Sequence, residues 1–78
     1  MKDRNAPRHR TFKGGSISFD LGLYECVIRN LSDSGACLEI EHPAAIPDSF
    51  TLIIKPECLK RGCEVAWRTP RRIGVRFL

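Results

Sequence analysis

No apolar run in this chain of 78 residues approaches the ~20 needed to cross a bilayer as a helix, and no leader-like segment opens it. The expectation is a cytosolic protein with reduced thiols. Its four cysteines, Cys26, Cys37, Cys58 and Cys63, contain no Cys-x-x-Cys pair, and His9 and His42 are not placed to complete a zinc site. Three of the four fall in alternating apolar patterns, where a thiol acts as a small buried hydrophobe. No segment shows a helical stripe, and neither a repeat nor a low-complexity tract is present. No nucleophile lies beside a base, carboxylates are not paired, and two isolated histidines make no acid-base couple. An enzyme is not expected.

What is present bounds the rest. The length allows one domain with a marginal core, which favours a closed barrel or help from a ligand or partner. Thirteen Lys and Arg against nine Asp and Glu give a net +4, enough to attract anions but short of a nucleic-acid-binding tail. The excess gathers in residues 1–13 (Lys2, Arg4, Arg8, Arg10 and Lys13 against Asp3) and again at Arg68, Arg71, Arg72 and Arg76. A ligand-facing end is the functional reading of these clusters and a solvated surface the plain one; for Arg68, Arg71 and Arg72 a solvated hairpin is preferred over a place near the site.

Alternation of period two dominates. Ile17 and Phe19 follow a Gly14-Gly15 break; Tyr24, Cys26 and Ile28 come next; then Ala36, Leu38 and Ile40; Phe50, Leu52 and Ile54; Cys63, Val65 and Trp67; and Ile73, Val75 and Phe77. Six short strands spaced about ten residues apart point to a small barrel or sandwich. Asp20-Leu21-Gly22 predicts a hairpin, Asp33-Ser34-Gly35 a turn with a positive φ at the glycine, and Thr69 to Arg72 the last hairpin. Loops are expected from His42 to Asp48 and from Pro56 to Gly62, the latter with a helical turn at Glu57 to Lys60. Residues 1–13 hold few apolar side chains and a proline, so they read as a flexible basic arm on a barrel of residues 14–78. The chain stops one residue after Phe77, so no closing C-terminal helix is expected.

Two motifs carry chemistry. Arg4 and Arg8 lie four apart around Asn5-Ala6-Pro7. A guanidinium fork matches phosphate oxygens and the O6/N7 edge of guanine, and Pro7 disfavours helix at Ala6, so the pair is read on an extended segment. Asn30-Leu31-Ser32-Asp33-Ser34-Gly35 offers an amide able to read a base edge, a hydroxyl, and a glycine that permits close approach. The same residues also suit a turn that caps its own backbone. Arg10 could add a phosphate or stacking contact or simply be solvated, and Trp67 reads as core in preference to a stacking platform.

In this order, with Val65-Ala66-Trp67-Arg68 and Arg72-Ile73-Gly74-Val75 behind them, the motifs resemble the PilZ domain family. The likeness runs from Arg4 to Phe77 and is greatest to the short single-domain members common in alphaproteobacteria. The resemblance implies an all-β, six-stranded antiparallel barrel that binds cyclic di-GMP. Arg4 and Arg8 would grip phosphates and guanine edges, Asn30, Ser32 and Gly35 would hold a guanine on the barrel, and Arg10 would assist. The implied protein is a non-enzymatic receptor, with no cofactor beyond that ligand, whose arm orders over the messenger and signals to a downstream protein. The alternatives are an adaptor barrel whose turn motif is only structural, or a basic nucleic-acid-binding barrel. The latter usually exposes several aromatics, whereas the six here fall mostly at positions read as inward.

Overall fold

The computed structural model describes the backbone of residues 9–78 and the side chains from residue 13 onward. Six antiparallel strands close into a barrel: β1 (His9–Phe19), β2 (Gly22–Leu31), β3 (Gly35–Glu39), β4 (Ser49–Ile54), β5 (Leu59–Arg68) and β6 (Arg72–Phe77). Their order around the wall is β1-β2-β3-β6-β5-β4. Among the described residues the helical content is one 3-10 turn, Pro43–Ala45.

Alternation built the wall as expected. Ile17, Cys26, Ile28, Leu38, Ile40, Phe50, Leu52, Ile54, Cys63, Ile73 and Val75 are all buried, joined by Ile46 from the loop after β3. Each such side chain contributes about 1.5–3 kcal/mol by leaving water, and closure of the wall removes most free edges. Arg68 on β5 reaches the loop between β3 and β4. Its guanidinium donates to the Pro43 carbonyl at 2.7 Å and to Asp48 Oδ1 at 2.8 Å, which ties the 3-10 loop to β5.

The break at Gly14-Gly15 and the loop after Pro56 give way to ladder hydrogen bonding. Gly14 and Gly15 do not break β1. Gly15 pairs with Cys26 on one side and Ile54 on the other, so two neighbours hold the glycine extended. The strand also takes in the backbone from His9, within the stretch read as arm. The region after Pro56 shrinks to a turn because β5 starts at Leu59, which pairs with Ile54; Cys58 closes that turn at φ 60° in place of a helical turn. No glycine has a positive φ among the described residues; at the first hairpin it is Asp20, at φ 51°, that adopts it.

Two bulges decide which way the site residues face. In β2, Ile28 pairs with Leu38 and Asn30 with Cys37, so Arg29 is an extra residue. In β5, Val65 pairs with Val75 and Trp67 with Gly74, so Ala66 is extra. A bulge shifts the two-residue phase by one and re-aims the side chains beyond it. Unbroken alternation would turn Asn30 and Trp67 inward with Ile28 and Val65. With the bulges, both stand on the outer face.

Candidate functional site

Residues directly opposite one another in an antiparallel ladder share a face. Arg10 pairs with Asn30, Asn30 with Cys37, Cys37 with Gly74, and Gly74 with Trp67. From Asn30 to Trp67 one row therefore crosses four strands of the outer wall, from β2 to β5, and the backbone of Arg10 on β1 borders its Asn30 end. Its middle is made of the small residues Cys37 and Gly74; the indole lies over Gly74, so Cys37 separates it from the Asn30 amide. Leu31, rephased inward by the same bulge, packs against the core.

Trp67 corrects the sequence reading, which placed it in the core. It is 47 % exposed and lies over Gly74 so closely that any Cβ there would collide with the indole. The indole is thus held against the sheet at Gly74 with about half of its surface still accessible. Of the five aromatics whose side chains are described, Phe50 is buried and Phe19 and Phe77 pack partly buried against the core, whereas Tyr24 and Trp67 are exposed. Tyr24 instead stacks on Phe19 at the far hairpin, with ring centroids 5.0 Å apart.

The turn after β2 is held from within. Ser32 Oγ accepts from the backbone N–H of Ser34 at 3.3 Å and of Gly35 at 3.2 Å, and the Ser32 N–H donates to the Gly35 carbonyl at 2.9 Å. That is the self-capping arrangement such residues favour, so the hydroxyl shapes the turn. Gly35 is required for a reason other than the one expected. A Cβ at this position would strike the Val75 carbonyl oxygen, a backbone atom that cannot rotate away. The missing side chain lets β3 start hard against β6, where Gly35 pairs with Arg76 and the Phe77 N–H donates to the Ser34 carbonyl at 2.8 Å.

Asn30, Ser32, Gly35, Trp67, Arg72 and Arg76 all line one surface cavity of about 680 Å³. Size does not single it out, since two other cavities of about 530 and 700 Å³ also lie within the usual ligand range. Chemistry does. The described lining of this one contains two guanidinium groups and no carboxylate, whereas the 530 Å³ cavity carries Glu25, Glu39 and Glu41. Arg76 is engaged by Glu64 at 3.0 Å; Arg72 has no ion pair, and the Asn30 amide no hydrogen-bond partner, among the described residues. The arrangement offers a flat aromatic face, a free amide and a free fork around an acid-free floor, which suits an anion bearing planar bases.

Of the residues singled out in the sequence, Asn30, Ser32 and Gly35 are brought together here. Arg4 and Arg8 lie outside the described residues, as does the side chain of Arg10, whose backbone borders Asn30. Sequence reasoning weighed Trp67 as a stacking platform and Arg72 as a neighbour of the site but preferred core and solvated hairpin for them, and did not single out Arg76 as lining. The signal available for the first was the Val65-Ala66-Trp67-Arg68 segment, but its phase depends on a bulge set by the partner strand.

Cys26 and Cys63 are buried, and desolvation pushes their thiols up to about 12 and about 11 respectively. No group of three or more His, Cys, Asp or Glu among the described residues is placed to hold a metal ion. Likewise, no helix among them is long and apolar enough to cross a membrane.

No curated protein matches this sequence. The family model described as "PilZ domain" matches residues 2–78. That match takes in both sequence motifs, the six-stranded closed barrel and the outer-face row between them, and so the chain belongs to the PilZ domain family, a family of cyclic di-GMP-binding domains.

Proposed function

We propose that this protein is a non-enzymatic receptor for cyclic di-GMP, with the ligand lying across the outer face of β2, β3, β6 and β5. The observation that carries the reading is the cavity whose described lining holds no carboxylate, in which Asn30 and Trp67 stand at the two ends of one row, with Arg72 beside them and without an ion pair among the described residues. Cyclic di-GMP has two phosphates and two guanines, so its receptor needs cationic forks, readers of base edges and a surface for stacking. The Asn30 amide reads a guanine edge, and the accessible part of the Trp67 indole stacks a base. Arg72 faces a phosphate, and Ser32 and Gly35 keep the turn in the shape the ligand meets. Arg4 and Arg8 supply the remaining forks and close over the ligand from the β1 side, where the backbone of Arg10 borders Asn30. Closure of that arm creates the surface a downstream protein recognises.

Isothermal titration against cyclic di-GMP, cyclic di-AMP and GTP tests this directly. The expected result is saturable binding of cyclic di-GMP above the other two, abolished by Arg4→Ala or Arg8→Ala and weakened by Asn30→Ala. Equal heats for all three nucleotides would reduce the site to plain anion attraction and refute the proposal.

A further inference from the structure

Glu39 stands between two arginines at the border of the proposed ligand face. On β3 it lies directly opposite Arg72 in the ladder with β6. Residues so placed share a face with their Cβ atoms about 4.5–5.5 Å apart, within reach of a cross-strand ion pair. Glu39 makes no such pair with Arg72. Its Oε1 accepts from Arg29 Nη1 instead.

The β2 bulge puts Arg29 there. It is the extra residue between Ile28 and Asn30, and its guanidinium crosses to the carboxylate that the register sets opposite Val27. The two side chains are 31 % and 33 % exposed, so water screens this pair less than a fully solvated one. Two guanidinium groups are thus within reach of one carboxylate, and Arg29 holds it. Arg72 is left without an ion pair among the described residues, lining the cavity that Asn30 and Trp67 share. The neighbouring forks are committed elsewhere, Arg76 to Glu64 and Arg68 to Asp48. Arg71 lines a separate cavity with Glu39 and Glu41, where a second carboxylate is at hand.

We propose that Arg29 is a positioning residue: by occupying Glu39, it keeps the Arg72 fork open for a ligand phosphate. The inference rests on the receptor reading above and adds to it a residue that never touches the ligand. Without Arg29, Glu39 captures Arg72 across the ladder. A cross-strand pair of ordinary strength would leave Arg72 open about 15–40 % of the time, which weakens phosphate binding roughly two- to sixfold.

The test uses the full chain, calorimetric titration with cyclic di-GMP and the Arg72 Nε–Hε resonance in ¹⁵N spectra. Arg29→Ala should weaken binding by that factor, and Arg29→Ala/Glu39→Gln should restore it, all variants keeping the wild-type circular dichroism spectrum. In an Arg72→Ala background, Arg29→Ala should cost nothing further. A loss that persists undiminished there would assign the effect to long-range charge and overturn the proposal. A loss that Glu39→Gln fails to restore would overturn it too, because Arg29 would then serve the bulge and not the carboxylate. In the absence of nucleotide, the Arg72 resonance should move with Arg29→Ala and return when Glu39→Gln is added. A native chain that binds no cyclic di-GMP refutes the receptor reading; an Arg72 resonance indifferent to Arg29 refutes this one.

Discussion

Replacing Gly35 with alanine adds one methyl group at a place where the barrel has no room for it. The new carbon would run into the Val75 carbonyl oxygen, with the Val75 carbonyl carbon at 3.2 Å and Arg76 Cα at 3.4 Å close behind. All three are backbone atoms, so relief requires β3 to move off β6. Overpacking of this kind costs about 1–3 kcal/mol, and loss of the Phe77-to-Ser34 backbone hydrogen bond adds about 1 kcal/mol, for a total of about 2–4 kcal/mol. A domain of this length has a total stability of about 4–12 kcal/mol, so the variant should fold but melt roughly 10–30 °C lower. Gly14→Ala is the matched control: the same change in the same kind of strand, but exposed, with Lys55 Cδ its nearest neighbour at 3.9 Å. Its effect should stay within about 0.5 kcal/mol. Thermal melts of both variants followed by circular dichroism decide the matter. Equal melting temperatures would refute the claim that this glycine is held by β6.

Trp67→Ala should weaken cyclic di-GMP binding by roughly 5- to 150-fold, the range for losing one base-aromatic stack, while moving the melting temperature little because the ring is half exposed. Titration calorimetry together with a melt separates the two effects; unchanged affinity would remove the indole from the site. For the thiols, the raised values set the sign. Below about pH 9 both folded and unfolded chains keep Cys26 and Cys63 protonated. Between about 9 and the folded values of about 12 and about 11, only the unfolded chain loses those protons, so stability should fall as the pH rises through that window. Denaturant midpoints at pH 8 and pH 10.5, compared with those of a Cys26→Ala/Cys63→Ala variant, measure it, and a midpoint that rises with pH in the native chain alone would contradict the assignment. In native protein a thiol reagent should modify exposed Cys58 first and leave Cys26 and Cys63 untouched until unfolding.

The core was legible because inward residues such as Leu38, Leu52 and Ile73 sit in unbroken two-residue alternation, a local signal. The turn motif was legible too, since Asn30, Ser32 and Gly35 are adjacent in the chain and meet in one cavity. What escaped depends on the strand next door. Whether Arg29 and Ala66 are bulged is decided by pairing with β3 and β6, and those single extra residues turn Asn30 and Trp67 to the outside. The role of Gly35 was legible as a need for space but not as to what fills it, because the Val75 carbonyl is forty residues away in sequence. Gly14-Gly15 looked like a break because glycine lacks intrinsic strand preference; two flanking ladders outweigh that deficit.

Trp67 is the one tryptophan in the chain, and it lines the proposed ligand floor. Its intrinsic fluorescence therefore reports on that floor alone. Titration with cyclic di-GMP should quench or shift this emission saturably, with the same midpoint as calorimetry, and Arg8→Ala should abolish the change. Calorimetric binding that leaves the emission untouched would put the ligand elsewhere on the barrel, and no response by either method would contradict the receptor account itself.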